Sequence, residues 1–260
     1  MRACSSVLAV AFALLAGAPA LGAEAPAGKD VLFQVSTINV LLDGGFDGMM
    51  TVGDLRKFGD TGIGTFDKVD GEAVILDGAA YQAMADGKVR PAFDAMTTPF
   101  ACVTFFQADE TLDLKAQPSL DALKAALDAR LASKTVFYAV RIDGAFASVK
   151  YRSVPKQAKP YPKLAEVTKN QPVFERSAIK GTLVGFWCPE LARAFNVPGW
   201  HLHFLSDDRQ SGGHLLDCSL AAGRAQIDLT SEFFVKLPIE GADAAAAASD
   251  RSEELKAVEQ

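Results

Sequence analysis

Cysteine is sparse in this chain of 260 residues, with four in all. Cys4 precedes an N-terminal apolar run, and the other three, Cys102, Cys188 and Cys218, form an odd set without any C-x-x-C pair. That excludes a full disulfide framework and the usual redox and zinc-ribbon motifs. The three read as small core residues, with one bridge at most. Long hydrophobic runs are also missing. The run from Val7 to Ala16 is well short of the roughly 20 residues that span a bilayer, and no later segment is long and apolar enough. Basic clustering is absent too: the net charge is −6, with lysines and arginines scattered, which argues against nucleic-acid or anionic-membrane partners. No G-x-S-x-G elbow occurs. "GDTGIGTF" (59–66) has the glycines of a phosphate loop, but it lacks the Lys-Ser/Thr and leads into a strand-like segment. No internal repeat is evident.

The chain reads as a leader, two sheet-forming domains joined by a proline-rich stretch, and a tail. The start, "MRACSSVLAVAFALLAGAPALGAEAPAG", places Arg2 before the apolar run and small residues between Ala20 and Ala23, the pattern of a secretory leader over 1–23. The expectation is export, to the periplasm or outside the cell, of a soluble mature protein. From Val31 short apolar runs alternate with turns, and "VDGE", "LDGA" and "ADGK" carry the Asp-Gly pair of tight hairpins. The spacing predicts a mostly sheet-forming domain over 30–150. Within it "SLDALKAALDARLASK" is the one clear helix, with Leu120, Leu123, Leu127 and Leu131 at helical spacing behind Pro118-Ser119. The prolines of "KYRSVPKQAKPYPKLAEVTKNQP" (150–172) rule out a long regular element and suggest a crossing between two sheet layers. A second sheet domain is expected over 151–238, followed by an alanine-rich tail, 239–260, that either stays disordered or forms a short docked helix.

Histidine is the scarcest of the metal-binding side chains. The chain has three, and all lie in "WHLHFLSDDRQSGGHLLDC" (200–218), as His201, His203 and His214. Residues two apart on a strand face one side, so His201 and His203 project together while Leu202 turns to a core. "SDDRQSGG" is a turn sequence, with Gly212 and Gly213 giving backbone freedom, and the returning strand brings His214 back. Three neutral imidazoles converging with an open position match catalytic zinc, although imidazole also suits iron, nickel or manganese. Cys218 sits about two pleats beyond His214 and is not expected to ligate. A hydrolase working through zinc hydroxide, or a metal carrier without turnover, would share this hairpin.

The segments "STINVLLDGGFDG", "FGDTGIGTFDKVDGE", "FYAVRIDG", "IKGTLVGF" and "GWHLHFLSDDRQSGGHLLD" resemble the alpha-acetolactate decarboxylases. The resemblance implies a two-domain α/β fold (β-rich α+β, with few helices), the metal between the sheets, usually as a homodimer. It also implies a small 2-hydroxy-3-oxo acid substrate, 2-acetolactate, converted to acetoin and carbon dioxide with Zn2+ and no organic cofactor. The family's zinc histidines fall on His201, His203 and His214, its active-site threonine and glutamate on Thr65 and Glu72, and its arginine on Arg141. Its tail glutamate aligns best on Glu259, with Glu253 and Glu254 as neighbours. Read as residues alone, Glu72 could equally be solvated in a hairpin, Arg141 paired with Asp143, and Glu259 part of a frayed end.

Overall fold

The structure is a computed structural model and describes residues 28–239 and 251–259. The expected leader and most of the alanine-rich stretch lie outside the described residues. In chain order the strands are β1 (Val31–Val35), β2 (Met50–Thr51), β3 (Thr61–Thr65), β4 (Glu72–Leu76), β5 (Ala79–Ala83), β6 (Val89–Pro91), β7 (Thr97–Thr98), β8 (Ala101–Thr104), β9 (Glu110–Leu114), β10 (Phe137–Arg152), β11 (Val173–Cys188), β12 (Gly199–Ser206), β13 (Gly212–Thr230) and β14 (Glu232–Lys236). The helices are α1 (Ile38–Leu42), α2 (Val52–Leu55), α3 (Leu120–Asp128), α4 (Leu164–Thr168) and α5 (Ser252–Glu259). No helix among the described residues is long and apolar enough to cross a membrane.

The chain is β-rich with few helices, built on two main sheets. One has seven strands in the order β14-β1-β8-β3-β4-β5-β6. The other has five in the order β10-β11-β12-β13-β9, and it closes on itself because β10 also pairs with β13. Passage from one sheet to the other falls between Thr104 and Glu110, earlier than residue 150. The expected strand at "TVFYAVRIDG" therefore belongs to the second sheet. The proline-rich stretch makes no crossing either: β10 and β11 on its two sides are antiparallel neighbours. It instead lays its backbone against the first sheet's β3–β4 connection, where Gly71 N donates to Val154 O and Gln157 N to Lys68 O. After β13 the chain returns to the first sheet, where β14 pairs parallel with β1.

Local chemistry accounts for these elements. Asp77 and Gly78 both have positive φ, 52° and 76°, the two-residue hairpin that Asp-Gly favours between β4 and β5. Ser119 caps α3, its hydroxyl accepting from Ala122 N at 3.2 Å, and Leu120, Leu123 and Leu127 are buried. Three apolar clusters follow strand alternation. One lies between the sheets and joins Ile63, Val74 and Phe100 to Val184 and Phe186. The opposite face of the second sheet packs Val140, Ile142, Leu202 and Phe204 with α3. The third covers the outer face of the first sheet with Phe33, Val35 and Ile75. Cys102, Cys188 and Cys218 are free and buried, as core residues.

Candidate metal centre

His201 and His203 on β12 stand opposite Phe186 and Val184 of β11, which belong to the cluster between the sheets, whereas Leu202 and Phe204 join the opposite core. Alternation thus turns both imidazoles toward the first sheet. His214 on β13 is paired in register with His203, which fixes it on the same face. Gly213 makes that pairing geometrically feasible: its φ is +150°, and a Cβ there would lie 2.2 Å from Arg152 O. Only glycine lets β13 approach β10 so closely.

The three rings are buried, with exposures of 8% for His201, 1% for His203 and 2% for His214. One ring nitrogen from each lies within 4.8 Å of the others. His203 Nδ1 donates to Ala73 O at 2.9 Å, and its Nε2 is buried without a partner. The backbone thereby selects the tautomer whose Nε2 lone pair faces the centre. His201 Nε2 and His214 Nδ1 are 3.1 Å apart, close to the ~3.3 Å that two nitrogens at ~2.0–2.1 Å on a tetrahedral zinc would keep. Burial holds all three imidazoles neutral, lowering His201 to about 3 and the other two well below the usual histidine range. Neutral imidazole is the ligand form. An orphaned lone pair, a selected tautomer and a neutral donor set fit a divalent metal ion.

Four further groups line the same cavity of about 40 Å³: Thr65, Glu72, Arg152 and Glu259. Thr65 and Glu72 are paired across β3 and β4, and Thr65 Oγ1 donates to Gly71 O at 2.7 Å. Gly71, at φ +82° with no room for a Cβ beside Ala83 O, immediately precedes β4 and lets Glu72 turn inward. Glu72 Oε1 accepts from Arg152 Nη1, and its Oε2 lies 3.8 Å from His203 Nε2. Burial pushes Glu72 up to about 7 against the pull of Arg152, with Glu259 adding repulsion. Glu259, on the last turn of α5, places Oε2 3.5 Å from His214 Nε2 and 4.0 Å from His201 Nε2. Burial raises it to about 7 as well, opposed by Arg152 and Lys124. Helix α5 docks through buried Leu255 and Val258, and Arg251 anchors its start on Asp43 at 2.7 Å. The alternatives in the tail face elsewhere: Glu253 pairs with Lys256 at 2.9 Å, and Glu254 with Arg251 at 2.6 Å.

Arg141 is not in this cavity. Its Nε donates to Asp143 at 2.8 Å and its Nη1 to Asp77 at 2.7 Å, at the β4–β5 hairpin. Arg141 lies eleven positions from Arg152 along β10, roughly 35 Å of strand at about 3.3 Å per residue. The arginine of the site is Arg152, buried at 5% exposure, which also donates from Nη2 to Val258 O at 3.3 Å. Sequence reasoning missed it because "KYRSVP" reads as the start of a loop. The available signal was its apolar setting between Tyr151 and Val154, both buried.

A second cavity, of about 430 Å³, adjoins the first. His214 and Glu259 line both, and Lys124 and Lys256 stand on the wall of the larger one.

The chain is similar to known proteins in both sequence and fold. The sequence profile described as alpha-acetolactate decarboxylase matches residues 32–247. The chain is 50% identical over 213 residues to an alpha-acetolactate decarboxylase of Methanosarcina mazei, covering 82% of this chain and 74% of that one. With its counterpart from Brevibacillus brevis it shares 44% over 220 residues, 85% of this chain and 77% of the relative. The crystal structure of alpha-acetolactate decarboxylase from Bacillus subtilis strain 168 superposes with a TM-score of 0.82 at 35% identity, covering 88% of this chain and 99% of that chain.

Proposed function

The chain belongs to the alpha-acetolactate decarboxylase family, and from that premise we propose that it converts 2-acetolactate to acetoin and carbon dioxide with a zinc ion held by His201, His203 and His214. The observation that carries the reading is the meeting, in one buried cavity between two sheets, of three neutral imidazoles with Thr65, Glu72, Arg152 and Glu259. A cation bound there supplies Lewis-acid stabilisation of negative charge as it develops on substrate oxygens. Loss of carbon dioxide leaves an electron pair on the hydroxyl-bearing carbon, spread onto the neighbouring ketone as an enediolate, and one proton must then reach that carbon.

The protein's own groups suit these demands. Burial raises Glu72 and Glu259 to about 7, and a cation held by the histidines would draw both back toward the carboxylate, the form that accepts a proton as a general base. Glu259 orients the substrate hydroxyl beside His201 and His214, and Glu72 stands across the cavity. Arg152 takes the place the sequence had suggested for Arg141. Arginine resists deprotonation, so its part is electrostatic: it holds Glu72 and directs positive charge at the departing carboxylate. Thr65 positions the Gly71–Glu72 turn. Substrate reaches the histidines from the larger cavity, past Glu259.

Export through the 1–23 leader and assembly as a homodimer belong to the same proposal. N-terminal sequencing of the exported protein and light scattering in solution test them. For the reaction itself, purified protein should release acetoin, lose that activity to a chelator and regain it with zinc. Ester or amide cleavage without acetoin would make it a hydrolase instead. Reversible metal uptake without turnover would make it a carrier.

A further inference from the structure

Outside the histidine centre, three carboxylates converge where the two sheets are joined. Asp30 immediately precedes β1, Asp109 ends the passage between the sheets, and Asp228 lies near the end of β13. One carboxylate oxygen from each lies within 4.8 Å of the others. Asp228 is completely buried. Its Oδ2 accepts from Gln107 N at 2.9 Å, but its Oδ1 has no partner. Asp109 Oδ2 accepts from Leu229 N at 2.8 Å. Thr230, two residues beyond Asp228 and so on the same strand face, is also completely buried with an unpartnered Oγ1. Lys29 acts on Asp228 only at a distance. Among the described residues none of the three aspartates forms an ion pair.

A buried anion with only a distant counter-charge, crowded by two others, is costly unless a cation joins it or it takes up a proton. We propose that Asp30, Asp109 and Asp228 form a second metal site, distinct from the histidine centre, that takes a calcium ion. An all-oxygen donor set favours a hard cation over zinc. Ligands drawn from three separate segments, one of them exposed and open to water, suit the irregular coordination of calcium better than the strict octahedron of magnesium. The ion would tie the start of β1 and the inter-sheet passage to the end of β13, where the chain turns back into β14. Its role is to hold the sheets together and not to take part in turnover.

The test uses zinc-loaded full-length protein in calcium-free buffer, titrated with calcium chloride by calorimetry and followed by thermal unfolding. The expected result is one calcium ion per chain, with a dissociation constant of about 0.1–1 mM as in extracellular modules. Saturation should raise the unfolding temperature by several degrees. Asp228→Asn and the exposed Asp109→Asn should each weaken binding at least about tenfold while acetoin formation stays unchanged. Asp109→Asn keeps the test informative if the buried change disturbs folding. No heat and no thermal shift at about 10 mM calcium, ten times the top of that range, would overturn the site. So would undiminished binding in both variants, and equal stabilisation by magnesium would overturn the choice of ion. Neither the calcium titration nor the thermal unfolding depends on the substrate of the histidine centre.

Discussion

Arg152→Met, set against Arg141→Ala, separates the two arginines. Removing the Arg152 guanidinium leaves the buried Glu72 carboxylate uncompensated, since the two face each other at 7% side-chain exposure each. Breaking a buried pair by deleting one partner ordinarily costs about 3–5 kcal/mol. Here Glu72 is already raised to about 7, so it can take up a proton and escape part of that penalty. A loss of about 2–3 kcal/mol remains, including the hydrogen bond from Nη2 to Val258 O, with a net worth of about 1 kcal/mol. In a protein of this size that lowers the unfolding temperature by roughly 4–12 °C. Turnover should fall about 10²–10³-fold, the cost of deleting one preorganised group that stabilises transition-state charge. Arg141 spans Asp77 and Asp143, whose side chains are 67% and 46% exposed; pairs of that kind are worth about 0–1 kcal/mol. Arg141→Ala should therefore stay within about twofold of the parent in acetoin formation. A colorimetric acetoin assay with metal content and thermal unfolding measured alongside decides the matter. Loss of activity in well-folded, metal-loaded Arg141→Ala, with Arg152→Met active, would refute the assignment.

His203→Ala removes the ring whose Nδ1 is held by Ala73 O; zinc content by atomic emission and acetoin formation should both fall to background. Glu259→Gln should retain zinc and unfolding temperature but lower kcat at least about tenfold, because only the tail carboxyl beside His214 changes. Leu255→Ala, which empties a buried position on α5, costs up to about 2–5 kcal/mol locally. Helix α5 should then detach before the sheets melt, seen as faster amide exchange over 252–259 and reduced turnover. Gly213→Ala must push β13 away from Arg152 O; a lower unfolding temperature together with weaker zinc retention is expected, and an unchanged zinc affinity would contradict the role given to that glycine.

How legible the protein was in its sequence depended on whether the interactions were local. The histidine hairpin could be read because strand periodicity and a turn of polar residues are both written within fourteen positions. Asp77-Gly78 and Ser119 were readable for the same reason, each being a short motif whose backbone geometry follows from its side chains. What could not be read was long-range pairing. The parallel return of β14 to β1 joins residues about two hundred positions apart and leaves no periodic mark. The docking of Glu259 depends on α5 finding the cluster between the sheets, which a short amphipathic segment does not announce.

Arg152 shows the limit most clearly. In β10 the residues facing the far core are Tyr138, Val140, Ile142 and Phe146, and then Val149 and Tyr151. The phase of alternation changes after Phe146, where β10 slips against β13 with register shifts between Ala145 and Ser148. A regular strand that points Arg141 toward the first sheet would send Arg152 the other way, since eleven is an odd number of steps. The irregularity reverses that and swings Arg152 in beside Glu72, at the strand end that also meets His214. A bulge of this kind re-aims a side chain at a functional site, and it arises from the fit of one strand against another. The arginine at the regular part of β10 was the visible candidate, and the one placed at the site by the bulge was not. Straightening the strand by deleting one residue between Ala145 and Ser148 should therefore cost the Arg152–Glu72 pair and turnover while sparing the histidines' metal, and a shortened, folded protein with normal acetoin formation would show that the slip has no part in placing Arg152.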